Sequence, residues 1–220
     1  MDIAANIREV HGRIALACER SHRSSEEITL VAITKGAEAS IIRTAFDCGI
    51  KNFGENRVQE AEEKIAQLSD LRPDVTWHMV GHLQSNKAKT AVELFDIIHS
   101  VDSVKLADIL NRRAEKPLPV LLEVNVSGEV TKGGFSVGEI AVAVEEIRQL
   151  HGLKVMGLMT IAPFVAEPEE IRPVFRKLRE LRDSLRLEHL SMGMTDDFEV
   201  AIEEGATMLR IGRAIFGERR

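Results

Sequence analysis

Short β-branched apolar runs alternate with longer amphipathic stretches along the whole chain, and this alternation limits the possible folds more than any other feature. The runs centre on residues 29–34, 52–54, 76–80, 96–99, 119–126, 154–160, 189–192 and 208–211, about eight in all. Between them apolar residues recur at helical spacing, as in Ile41, Ala45 and Cys48, in Val142, Ile147 and Leu150, and in Val174, Leu178, Leu181 and Leu185. Such spacing gives a helix one buried face. A further helix is expected over 3–20, ahead of the first strand. Strict strand–helix alternation implies a parallel sheet covered by helices. An open doubly wound sheet would want a Gly-rich fingerprint after its first strand, and Thr34-Lys35-Gly36-Ala37 is not one. About eight units in 220 residues sit near the lower size limit of a closed barrel. The expected fold is therefore α/β, a single (β/α)8 TIM barrel with an extra N-terminal helix, forming one domain over 1–220. Pro117-Leu118-Pro119 is read as a turn into a strand.

Composition narrows the partners. A formal net charge of -6 argues against nucleic acid, which a concentrated basic face would bind. Lys and Arg are interleaved with acids, as in Arg176, Lys177, Arg179, Glu180, Arg182 and Asp183, the pattern of a solvated surface. Cys18 and Cys48 lie in apolar helical patterns without metal-ligand spacing, so they are expected to be buried free thiols in a reducing compartment. No run approaches the roughly 18 apolar residues of a membrane span, and the first residues lack the basic and apolar regions of a signal peptide. No membrane partner, no metal and a cytoplasmic location are expected.

In a barrel, chemistry collects where strands end and the βα loops gather around one mouth. Polar residues do recur there: Lys35, Glu55-Asn56, Gly81-His82, Ser100 and Asp102, Asn125, Ser191 to Met194, and Arg210 before Gly212. Lys35 follows the first apolar run directly. A lysine there sheds hydration, which favours the free amine and suits attack on an aldehyde; the plain alternative is a lysine that reaches out to solvent. Barrels often bind phosphate through their last two loops. Here Ser191-Met192-Gly193-Met194-Thr195-Asp196-Asp197 and Ile211-Gly212-Arg213-Ala214 supply a hydroxyl, glycines and a helix cap, although ordinary βα turns contain glycine too. Together with Lys35, these loops point to a phosphorylated aldehyde. An inward Arg210 could hydrogen-bond a pyridine nitrogen and keep it unprotonated, or form a salt bridge across the barrel floor.

Specific segments carry a family resemblance. They are Leu30-Val31-Ala32-Ile33-Thr34-Lys35, Phe53-Gly54-Glu55-Asn56-Arg57-Val58-Gln59-Glu60, and Trp77-His78-Met79-Val80-Gly81-His82-Leu83-Gln84-Ser85-Asn86-Lys87. Val124-Asn125-Val126, Gly157-Leu158-Met159-Thr160, Ser191-Met192-Gly193-Met194 and the stretch from Arg210 to Gly217 follow in order. The chain resembles, over essentially its whole length, the pyridoxal phosphate homeostasis proteins, which are similar in fold to the N-terminal barrel of alanine racemase. The resemblance implies pyridoxal 5′-phosphate as cofactor, held as a Schiff base on Lys35. It implies Asn56 beside the ring, Ser191, Gly193, Met194 and Gly212 around the phosphate, and Arg210 at the pyridine nitrogen. Thr34 and Thr195 stand where the family often has serine, and both keep a hydroxyl.

The family is described as a non-catalytic carrier that limits free aldehyde and hands cofactor to pyridoxal-phosphate-dependent apoenzymes. The alternative is an amino-acid racemase-like enzyme. Barrel racemases use a base on each face of the cofactor, one of them a tyrosine from a second domain, and this sequence has no tyrosine. His78 and His82 are the candidate replacements, each expected as scaffold. A class I aldolase would also use a strand-end lysine but leaves Arg210 unexplained. Lys87 and Lys89 are expected on a helix surface rather than at a second cofactor position. The carrier reading implies no catalytic residues, an open mouth and a monomer.

Overall fold

The computed structural model describes residues 2–129, 131–163 and 167–217. Its strands are β1 (Thr29–Ile33), β2 (Asn52–Glu55), β3 (Thr76–Met79), β4 (Ile97–Val101), β5 (Leu118–Asn125), β6 (Phe135–Ser136), β7 (Leu153–Met159), β8 (His189–Ser191) and β9 (Met208–Ile211). All except β6 form a closed parallel ring in chain order: β4 pairs with β5, and β9 returns to β1 with Arg210 opposite Val31. The closed (β/α)8 barrel expected from the alternation is the fold observed. β6 pairs outside the ring with Val124 and Asn125 of β5. It was not anticipated, since two residues carry no alternation.

The helices are α1 (Ile3–Arg20), α2 (Ala39–Asp47), α3 (Val58–Gln67), α4 (Ala88–Leu94), α5 (Val104–Asn111), α6 (Ile140–Ile147), α7 (Arg172–Ser184), α8 (Phe198–Glu203) and α9 (Arg213–Phe216). The extra helix α1 begins at Asp2, whose carboxylate accepts the Ala5 N–H at 2.9 Å, satisfying a donor that has no partner within the helix. It buries Ile3, Ile7, Val10, Ile14 and Ala17 along one face. Each isoleucine or valine of that face removed from water is worth roughly 1.5–3 kcal/mol. Asn6 Nδ2 donates to Ile215 O at 2.9 Å, and Arg13–Glu199 and Arg20–Glu203 ion pairs tie α1 to α8.

Three helix-face expectations need correction. On α6 the buried face is Ile140, Ala143, Val144 and Ile147, leaving Val142 70% exposed. On α2 the inward pair is Ile42 and Ala45, while Ile41 turns toward the barrel mouth. Cys18 is buried as expected, but Cys48 caps the end of α2 and is only half-buried. In each case the apolar set was wider than one face, and the strand beneath selected its centre.

Strand alternation sends every second side chain into the ring. The ring interior has two storeys. Leu121, Met159 and Met208, with Ile97, fill the floor. Two residues further along their strands lie His99 and Arg210, and with Asn52, His78 and Ser191 they make a polar storey below the mouth.

Candidate functional site

Lys35 leaves the C-terminal end of β1 half-buried on the wall of a cavity of about 1260 Å³ at the mouth. Asn56, Met194, Arg210 and Gly212 line the same cavity, so five of the seven residues singled out in the sequence meet there. Thr195, Asp196 and Arg213 join them. Arg213 is half-exposed and ion-paired with Asp196, and Thr195 Oγ1 accepts the Ala214 N–H at 3.4 Å, which ties the last two βα loops together.

Asn56 owes its place to the segment after β3. A Cβ on Gly81 would stand 2.4 Å from Asn56 O, so only glycine lets that chain lie against the Asn56 backbone. Ser100 Oγ donates to Gly81 O at 2.6 Å and fixes the approach. Asn56 lines the cavity, and its Oδ1 is buried with no partner among the described residues, an acceptor of a kind that costs free energy unless something satisfies it.

Ser191 and Gly193 stand off from the cavity. Ser191 is fully buried in the polar storey; its oxygen accepts Arg210 Nη1 at 2.6 Å and lies 2.8 Å from His99 Nδ1. His99 Nε2 is 2.9 Å from His78 Nδ1, and His78 Nε2 is 3.0 Å from Asn52 Oδ1. Asn52 Oδ1 can only accept, and a neutral imidazole has one donor and one acceptor nitrogen, which sets the direction of the whole chain. With both rings neutral, His78 donates through Nε2 to Asn52, His99 donates through Nε2 to His78 Nδ1, and Ser191 gives its hydroxyl proton to His99 Nδ1 while accepting from Arg210. Burial agrees, holding His78 down to about 4 and His99 well below the usual imidazole value. Gly193 has φ +93, and a Cβ there would meet Ala201 Cβ at 2.6 Å, so it seats the loop on α8. The Met194 N–H that follows is taken by Asp197 Oδ1 at 2.6 Å.

Arg210 makes no salt bridge among the described residues, contrary to the cross-barrel alternative. Its second nitrogen donates to Thr160 O at 2.8 Å, and the charges of Asp197 and Glu123 act on it from further away. Burial lowers the guanidinium to about 10, which leaves it charged at neutral pH. Glu55, expected at the mouth, faces the opposite way, buried under α3 against Lys64. Its parity with Phe53, two residues earlier on the outer face, was the available signal. His78 lies in the polar storey, His82 is exposed beside Asp102 at 3.0 Å, and Lys87 and Lys89 do not line the cavity.

A family model for the alanine racemase N-terminal domain matches residues 14–220. The pyridoxal phosphate homeostasis protein of Aquifex aeolicus is 47% identical over 229 residues, covering 100% of both chains. That of Escherichia coli K12 is 41% identical, covering 99% of this chain and 97% of its own. The chain belongs to the pyridoxal phosphate homeostasis protein family. PipY of Synechococcus elongatus PCC7942, solved with PLP bound, superposes with a TM-score of 0.85 at 38% identity, covering 98% of this chain and 100% of PipY. Alanine racemase of Corynebacterium glutamicum shares the barrel at a TM-score of 0.75 and 16% identity, and the match spans 61% of that enzyme. Among the described residues no helix is long and apolar enough to cross a membrane.

Proposed function

We propose that the mouth cavity holds pyridoxal 5′-phosphate on Lys35 and that the protein serves as a non-catalytic carrier in homeostasis of this cofactor. The observation that carries the reading is a convergence on one cavity: a primary amine, an unpartnered buried amide oxygen and a buried guanidinium. These groups fit the cofactor. When bound, it supplies an aldehyde for an amine and a ring that accepts electrons. Lys35 provides the amine. Arg213, Thr195 and the Gly212 backbone, which line the cavity, would receive the phosphate, and Met194 would offer its N–H on release from Asp197. Arg210 provides a permanent donor for a ring nitrogen and disfavours a proton there, which restrains carbanion chemistry. Ser191 works one step removed, holding Arg210 in place, and Gly193 shapes the loop.

The reading extends to a monomer of one domain acting in the cytoplasm, with pyridoxal-phosphate-dependent apoenzymes as recipients. Its test is the visible spectrum of the purified protein, followed by borohydride reduction and peptide mapping. A yellow protein with a phosphopyridoxyl group fixed on Lys35 is expected. A colourless protein that stays unmodified in excess pyridoxal phosphate would overturn the assignment. Exchange of an amino acid's α-proton in heavy water, well above the rate with free cofactor, would replace the carrier with a racemase-like enzyme.

A further inference from the structure

Behind the loop that carries Lys35, on the helix side of the sheet, lies a buried ionic cluster that the proposed function leaves unused. Lys64 of α3 spends its three ammonium donors on Thr34 O at 2.6 Å, Glu55 Oε1 at 2.7 Å and Glu60 Oε1 at 2.6 Å. Thr34 Oγ1 also donates to Glu55 Oε1, at 2.5 Å. The Gly36 N–H donates to the same Glu60 oxygen that Lys64 holds, at 2.5 Å. The peptide groups on either side of Lys35 are therefore gripped from one helix: Lys64 takes the carbonyl before it and Glu60 the N–H after it. Spacing of i,i+4 puts these two side chains on one face of α3.

The plain explanation is stability, and it is weak. Burying an ion pair costs desolvation that often cancels its attraction, and apolar residues of the same volume commonly do as well. The cluster even leaves Glu55 Oε2 without a partner. What an apolar substitute lacks is a main-chain grip. We propose that Lys64 and Glu60 are positioning residues, which hold the backbone of Lys35 so that its amine enters the mouth cavity in one direction. The proposal rests on the reading of Lys35 as the attachment point. A lysine side chain has several free torsions, so the remaining order must come from where its Cα is fixed. Misplacement by about 1 Å can slow a reaction by roughly a hundredfold.

The test compares Glu60→Ala with Glu60→Gln, whose amide oxygen still accepts from Gly36 and Lys64. Two rates are followed: amide hydrogen exchange at Gly36 without cofactor, and appearance of the cofactor absorbance when pyridoxal phosphate is added. Glu60→Ala is expected to speed Gly36 exchange by about tenfold or more. It is also expected to slow attachment at Lys35 by about tenfold or more. Glu60→Gln should leave both near wild type. Faster exchange with unaltered attachment overturns the positioning role, and unaltered exchange overturns the grip itself. If wild type takes up no cofactor, the functional reading falls, and Gly36 exchange still decides the grip. Should Glu60→Ala fail to fold, Glu55→Gln with Lys64→Met releases Thr34 O and leaves the Gly36 N–H on Glu60, so attachment alone is read: slowing by about tenfold or more is expected, and an unaltered rate overturns the positioning role.

Discussion

The two storeys of the barrel interior share only β4 and β9, and they solve different problems. The floor of Leu121, Met159 and Met208 is apolar and closes the ring by packing alone. Above it, His99 and Arg210, two residues beyond Ile97 and Met208, join Asn52, His78 and Ser191 in a layer of groups that are expensive to bury. That layer offsets its cost by pairing: none of its side-chain atoms is among the buried unpartnered ones. Of the two orphan acceptors among the described residues, one lies on Asn56 at the cavity wall and the other, Glu55 Oε2, on the helix side of the sheet. Stability is thus concentrated at the bottom, orientation in the middle and unmet bonding capacity at the mouth.

Substitutions should separate these levels. Lys35→Ala is expected to abolish borohydride-fixed cofactor altogether, with stability in urea changed by no more than about 0.5 kcal/mol. A large loss of stability would tie the mouth to the floor. Leu121→Ala should do the reverse, costing about 2–5 kcal/mol in urea unfolding, while cofactor bound per folded molecule stays constant.

The middle storey should show itself through pH. His78 and His99 titrate below their unfolded value, so the unfolded chain binds more protons as pH falls from about 6.5 toward about 4. Stability should therefore fall through that window, by up to about 1.4 kcal/mol per pH unit for each histidine. Burial raises the Glu55, Glu123 and Asp197 carboxyls, which softens the fall. Urea titrations across the window measure the slope, and replacing both histidines with glutamine should flatten it. Ser191→Ala unpairs His99 and Arg210 together and should cost about 1–3 kcal/mol. It should also shift the absorbance maximum of bound cofactor, and an unmoved spectrum would detach Arg210 from the ring. At the smallest end, Val142→Thr on the outer face of α6 should stay within about 0.5 kcal/mol in the same titration.

The barrel was legible because most strand runs are β-branched and bounded by turn residues, although 52–54 and 189–192 hold no Val, Ile or Thr. Lys35, Asn56 and Gly212 stood out because they follow such runs, and Arg210 because it is a charge inside one. Position after a strand does not tell which way a side chain points, and that is where the reading of Glu55 and Ser191 went astray. Glu55 shares the outer parity of Phe53, and Ser191 is the last inward residue of β8 rather than the first of its loop. The histidine chain was hidden for a different reason. His78 and His99 are 21 residues apart, and only ring closure makes their nitrogens neighbours. Arg213 was passed over beside Gly212, although a cation following a glycine turn was the available signal.

Closure of the ring sets β1 against β9, with Val31 opposite Arg210. Lys35 follows the first strand of the ring and Arg210 lies on the last. Such non-local pairing forms slowly, because the intervening chain must be ordered before the contact repays it. A partly made chain can therefore present the amine but not the cavity. A ligand that touches both residues acts as a clasp across the seam, stabilising by mass action only chains whose ring is complete. Occupancy of the mouth would then count finished molecules.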